Sequence, residues 1–233
     1  MIKRTLKTTT GKLTVSLPSD LSEVTIGQMM ALQENTELGD IDAISILSGI
    51  PAGELKNIQN LNDFTIFGDS ILRLSHQIKY LYNSDDIPAK VALNLNGNVV
   101  IVKVARNLSV EPVGAFMAAR EIIGDEIARH IELHGREEWQ DHFNPSLNAC
   151  CQVLTHYFYC RATGKPYNEY AAEEFVSEIK KLGVTEALPI SRHFFTCYPN
   201  LSKRKTSFFQ RLLQRWKNEQ ASRHLKNSSI SIQ

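Results

Sequence analysis

Residues 21–34 read Leu-Ser-Glu-Val-Thr-Ile-Gly-Gln-Met-Met-Ala-Leu-Gln-Glu, and residues 108–121 read Leu-Ser-Val-Glu-Pro-Val-Gly-Ala-Phe-Met-Ala-Ala-Arg-Glu. The two align without a gap. Leu21, Ser22, Gly27, Met30, Ala31 and Glu34 recur as Leu108, Ser109, Gly114, Met117, Ala118 and Glu121, so 6 of 14 positions are identical. Each copy follows a strand-like run and opens a helix, which predicts a duplicated supersecondary unit. Gly27 and Gly114 then fall in equivalent first turns, where a side chain is expected to crowd the adjacent strand. The repeat brings no nucleophile, base or ligand set with it, which tilts the reading away from an enzyme.

The runs preceding each copy are hairpins by pattern. Residues 2–7 and 12–17 alternate about Thr8-Thr9-Thr10-Gly11, with Leu13, Val15 and Leu17 on one face. In 90–105, Val91, Leu93 and Leu95 alternate, as do Val100, Val102 and Val104, around Asn96-Gly97, a strong two-residue turn signal. The two hairpins are expected to form one small antiparallel sheet, with the helices of 26–83 an excursion between them. Thr25 is a candidate cap for the first repeat helix, with Ser22 as a competitor, and Asp40 for a short helix ending at Gly49. Further helices are predicted over about 52–58 and 63–82.

The second copy is predicted to open a helix at about 110, capped by Ser109, with Pro112 in its first turn. It runs to His134, with Gly124 as a weak point, and a polar connection follows over Arg136–Asn144. Residues 146–161 carry Leu147, Cys151, Leu154 and Phe158 beside a second stripe of Cys150, Val153, Tyr157 and Cys160, so this helix is apolar nearly all round and central. Asn168 caps the next helix, which ends at Gly183, and a last helix spans about 187–197 before Pro199. The fold class is α+β, mostly helical, a small antiparallel sheet packed with a helical bundle. The expected divisions are 1–105 (hairpins plus helical insertion), 106–200 (helical) and 201–233 (basic amphipathic tail).

A chain of 233 residues with 42% apolar and 22% charged side chains can bury a real core. It has no apolar run near the ~20 residues of a membrane span, and Met1-Ile2-Lys3-Arg4-Thr5 lacks the apolar segment of a signal peptide. Synthesis in a reducing cytoplasm is therefore expected, with Cys150, Cys151, Cys160 and Cys197 as thiols. The net charge of +1 hides an asymmetry: residues 201–233 carry +7 and the rest of the chain −6.

Chemistry-bearing patterns are sparse. His156/Cys160 and His193/Cys197 are each four apart and could supply zinc ligands from two helices, but the cysteines lie on apolar stripes and no Cys-x-x-Cys turn is present. The expectation is Cys150, Cys151 and Cys160 buried among Leu154, Phe158 and Phe175. His130 and His134 are also four apart, but Glu132 lies about 200° round the helix from His130, unlike a metalloprotease helix. Asp85-Asp86 and Glu173-Glu174 read as solvated surface. No phosphate-binding glycine loop and no Gly-x-Ser-x-Gly elbow occurs. The expectation is no catalytic residue, no metal and no cofactor. In the tail, Phe208, Phe209, Leu212, Leu213 and Trp216 at helical spacing, beside Arg215, read as a surface that docks on a partner protein. Nucleic acid bound through phosphates and stacking is the alternative.

Leu-Pro-x-Asp-Leu-Ser-x-Val-Thr-Ile-Gly-Gln (Leu17 to Gln28) resembles the start of neck and tail-assembly proteins of tailed bacteriophages, including crAss-like phages. So do Gly164-Lys165-Pro166-Tyr167-Asn168-Glu169, with its Gly-x-x-Tyr turn after a helix, and the closing Ala187-Leu188-Pro189-Ile190-Ser191-Arg192-His193-Phe194-Phe195. The resemblance spans most of 12–198 and none of the chain beyond 200. It implies a non-enzymatic structural subunit of a phage particle, a ring or adaptor component of the neck or tail. Such a subunit is assembled in the host cytoplasm and located in the virion, with itself and other neck or tail proteins as partners and no membrane. The alternative is a tail-assembly chaperone not retained in the particle. A third reading, from another class, is a small metal-dependent enzyme using His130/His134 or the His/Cys pairs.

Overall fold

The computed structural model describes residues 1–34, 38–59, 62–78, 86–95 and 97–197. Strands β1 (Ile2–Thr8) and β2 (Gly11–Leu17) pair antiparallel, with Leu6 opposite Leu13. After a 3-10 turn (Leu21–Glu23) come α1 (Ile26–Glu34), α2 (Asp40–Ser48), α3 (Ala52–Leu55) and α4 (Asn62–Ile78). Strands β3 (Lys90–Leu95) and β4 (Asn98–Lys103) form the second hairpin, with Val91 opposite Val102 and Gly97 at φ 83° in the turn. A second 3-10 turn (Leu108–Val110) leads into α5 (Val113–Glu138). The chain continues through α6 (Leu147–Thr163), α7 (Glu169–Glu174), α8 (Val176–Ile179) and α9 (Val184–Cys197). The fold is α+β and mostly helical. Among the described residues no helix is long and apolar enough to cross a membrane.

The two hairpins do not join into one sheet, contrary to expectation: each is its own two-stranded sheet. The end of β1 is already paired, since Gln59 N–H bonds Lys7 O, Thr9 N–H bonds Asn57 O, and Thr8 bridges Ile58. Each hairpin also turns its apolar face to different helices, β2 to α2, β3 to α8 and β4 to α6. The duplicated order survives, with hairpin, 3-10 turn and helix occurring twice.

Side-chain caps or left-handed glycines set several helix ends. Thr25 Oγ1 accepts from Gln28 N–H (3.1 Å) and Gln28 Oε1 accepts from Thr25 N–H (2.9 Å), a reciprocal capping box. Ser22 does not compete, because its N–H is held by Asp20 at the cap of the 3-10 turn. Gly39 rather than Asp40 occupies the cap of α2, leaving Asp40 and Asp42 in the first turn, where carboxylates favour the helix dipole. Ser146 and Asn168 cap α6 and α7 through their side chains, and Gly164 closes α6 at φ 67°. Ser109 is not at the cap of α5: its backbone belongs to the 3-10 turn, and Pro112 takes the cap position at φ −51°, ψ 143°. Helix α5 passes unbroken through Gly124 and breaks at Gly135 (φ 79°). The predicted polar connection after it buries Trp139 instead. The 169–182 helix is split at Phe175, and α9 starts earlier than predicted, at Val184, whose N–H bonds Val24 O. Residues 79–82 of the predicted long helix, and Pro199, lie outside the described residues.

Helix α6 is the centre. Cys150, Cys151, Val153, Leu154, Tyr157 and Phe158 are wholly buried, and α5, α7, α8, α9, α1 and β4 all pack on it. The buried apolar set runs continuously from Leu6 to Phe195. Cys160, expected to be buried, is only half-buried.

Candidate functional site

The repeat glycines mark how each copy meets the rest of the chain. A Cβ on Gly27 would lie 2.8 Å from Lys180 O and 2.9 Å from Lys180 Cβ. The segment after α8 lies directly on the start of α1, where Ile26 N–H bonds Leu182 O and Gly27 N–H bonds Lys180 O, both at 2.9 Å. A Cβ on Gly114 would lie 2.5 Å from the Tyr167 ring. The expected neighbour, a strand, is absent at both sites. The glycines admit a backbone in one copy and an aromatic ring in the other.

A cleft of about 530 Å³ lies between α5, α6 and α7–α8, lined by Ala118, Glu121, Ile122, Asp125, His156 and Glu173, among others. The Tyr167 hydroxyl shares a 3.0 Å hydrogen bond with His156 Nδ1. Burial lowers the pKa of His156, against the pull of Glu169 and Glu173. Burial and the nearby Glu169 push Tyr167 up to about 12. Burial thus disfavours the charged form of both groups. Glu121 and Asp125 are four apart on α5, and Glu169 and Glu173 four apart on α7. Like charges at that spacing oppose helix formation by a few tenths of a kcal/mol each, and among the described residues none of the four makes an ion pair with a Lys or Arg. In the sequence Glu173 reads as solvated surface, Glu121 as a repeat position and Glu169 as part of the Gly-x-x-Tyr motif, and Asp125 carries no signal of its own. The legible signal was two acidic i, i+4 pairs; Arg129, four residues after Asp125, pairs with Glu126 instead.

Beside the cleft, α5 exposes an apolar stripe. Val113 is 78% exposed and Met117 50%, and Val110 in the preceding turn 58%. Their first-copy equivalents Ile26 (0%) and Met30 (7%) are buried, because α1 packs on α2, α6 and α9. Down α5 the line Val113, Met117, Glu121, Asp125 runs from apolar to acidic at four-residue spacing.

The remaining candidates are used inside the fold. His193 Nε2 meets Arg106 O at 3.0 Å, and Cys197 Sγ lies 3.4 Å from the same ring. His130 Nε2 is 3.6 Å from Glu126 Oε1, its ring packs edge-on against Phe143 and stacks with His134, and its Nδ1 is buried without a hydrogen bond. Glu126 in turn accepts from Ser146 N–H (2.6 Å) and pairs with Arg129. Among the described residues no three His, Cys, Asp or Glu side chains come together as a metal set. Burial raises Cys150 to about 12 and Cys151 to about 11. The predicted partner-binding residues Phe208, Phe209, Leu212, Arg215 and Trp216 lie outside the described residues. No known protein family, curated protein or solved structure matches the chain.

Proposed function

We propose that this chain is a non-enzymatic structural subunit that works by assembly, as a ring or adaptor component of a tailed-phage neck or tail. The observation that carries the assembly reading is the exposed Val113–Met117 stripe, whose counterparts Ile26 and Met30 are buried in the first copy of the same unit. Exposed contiguous apolar side chains on a folded body favour a partner. The phage setting rests on the resemblance of residues 12–198. The non-enzymatic reading is supported by the employment of the polar groups: Tyr157, His193, Glu111 and Glu126 all anchor backbone or neighbouring side chains.

Sedimentation of the full chain at micromolar concentration tests the first part and is expected to give a concentration-dependent oligomer; a monomer at every concentration refutes it. A mass-spectrometric inventory of purified phage particles tests the second. The chain is expected among particle proteins, and its presence in assembly intermediates alone would favour a chaperone.

A further inference from the structure

The exposed stripe ends in the acidic cleft, so whatever covers it must be apolar at one end and cationic at the other. A segment with that chemistry exists in this chain. Residues 205–217 read Lys-Thr-Ser-Phe-Phe-Gln-Arg-Leu-Leu-Gln-Arg-Trp-Lys, with aromatic and aliphatic side chains at helical spacing and Lys205, Arg211, Arg215 and Lys217 among them. We propose that Val113, Met117 and the cleft carboxylates Glu121, Asp125, Glu169 and Glu173 receive the 205–217 segment of a second copy of this chain. The proposal rests on the assembly reading above and names the two surfaces that meet.

Three observations lead there. The acceptor is half apolar and half acidic along one line of α5, and the segment has both complements. The four carboxylates line one cleft, and among the described residues none of them pairs with a Lys or Arg, so cationic side chains entering it meet unpaired negative charge. Acceptor and donor are also different surfaces of the same chain. Such a contact is heterologous, and repeating it head to tail closes into a ring when the rotation allows.

The test uses the full-length chain with a benzoylphenylalanine photo-crosslinker replacing Trp216, assembled from equal parts of unlabelled and nitrogen-15-labelled protein. The expected product joins position 216 to residues of α5 or α7 and pairs light with heavy chains. Crosslinks within one chain, or to another surface, overturn the proposal. In parallel, the double variant E121K/E173K should weaken association by roughly tenfold or more while circular dichroism stays unchanged, since both side chains are exposed. Adding R211E/R215E to the same chain should restore it. Unchanged association of the charge-reversed chain, or no rescue, overturns the proposal. A wild-type chain that assembles but crosslinks elsewhere refutes this docking alone; a wild-type chain that never assembles refutes the assembly reading with it.

Discussion

Replacing Gly27 by alanine tests the link between the first repeat copy and the end of α8. In an open helix this change should stabilise by up to about 1 kcal/mol, because glycine loses more backbone freedom on folding. At position 27 the new methyl would sit 2.8 Å from Lys180 O and 2.9 Å from Lys180 Cβ. That is roughly half an ångström inside ordinary contact, and the obstacle is backbone. Relief requires the 180–182 segment to move away, stretching Ile26 N–H to Leu182 O and Gly27 N–H to Lys180 O, both 2.9 Å. Overpacking of this kind costs about 1–3 kcal/mol and each weakened buried hydrogen bond about 1 kcal/mol. Against the propensity gain, the net expectation is a loss of about 2 kcal/mol, or roughly 4–8 °C in Tm for a chain of this size. Gly68 in α4 is the control, since a Cβ there meets nothing within 4 Å; Gly68→Ala should be neutral or stabilising. Urea unfolding of both variants, at unchanged m, reads the difference. If Gly27→Ala proves as stable as Gly68→Ala, the close approach of Lys180 is not a real constraint.

Tyr157→Phe should cost about 1–3 kcal/mol in the same assay, because the hydroxyl both accepts from Ala105 N–H (2.6 Å) and donates to Ala105 O (3.0 Å). Equal stability of the phenylalanine variant would contradict that anchor. Ellman's reagent should find Cys197, which is exposed, quickly in the native chain, and Cys150 and Cys151 only after unfolding, because burial raises both thiols. Fast release of more than two thiols from folded protein would count against the buried helix. Burial lowers the folded pKa of His156 below the ordinary 6.5. The unfolded chain therefore binds this proton first, and stability is full above pH 6.5 and falls as pH drops through it. The slope is at most about 1.4 kcal/mol per pH unit. His156→Gln should flatten stability between pH 7 and 5, and an unchanged slope would assign the titration elsewhere.

Much of the architecture was legible along the chain because it depends on neighbours in sequence. The alternation around Gly97, the reciprocal Thr25–Gln28 cap, Ser146 and Gly164 at the two ends of α6, and the nearly all-round apolar pattern of 146–161 are local signals. The two repeat copies announced two equivalent hairpin-and-helix units. What the copies touch was not legible. The end of β1 pairs with a 57–59 segment some 50 residues on. The backbone over Gly27 comes from residue 180, and the ring over Gly114 from residue 167. The same distance in sequence hid the candidate site. Glu121 and Asp125 on one helix and Glu169 and Glu173 on another are ordinary surface residues until α5 and α7 are packed against α6, and only then do four carboxylates line one cleft. Val113 and Met117 match Ile26 and Met30 position for position, so the pattern alone predicts the same burial for both pairs. Tertiary packing separates them: α2 and α9 complete the cover of α1, and α5 is left with one apolar face in water.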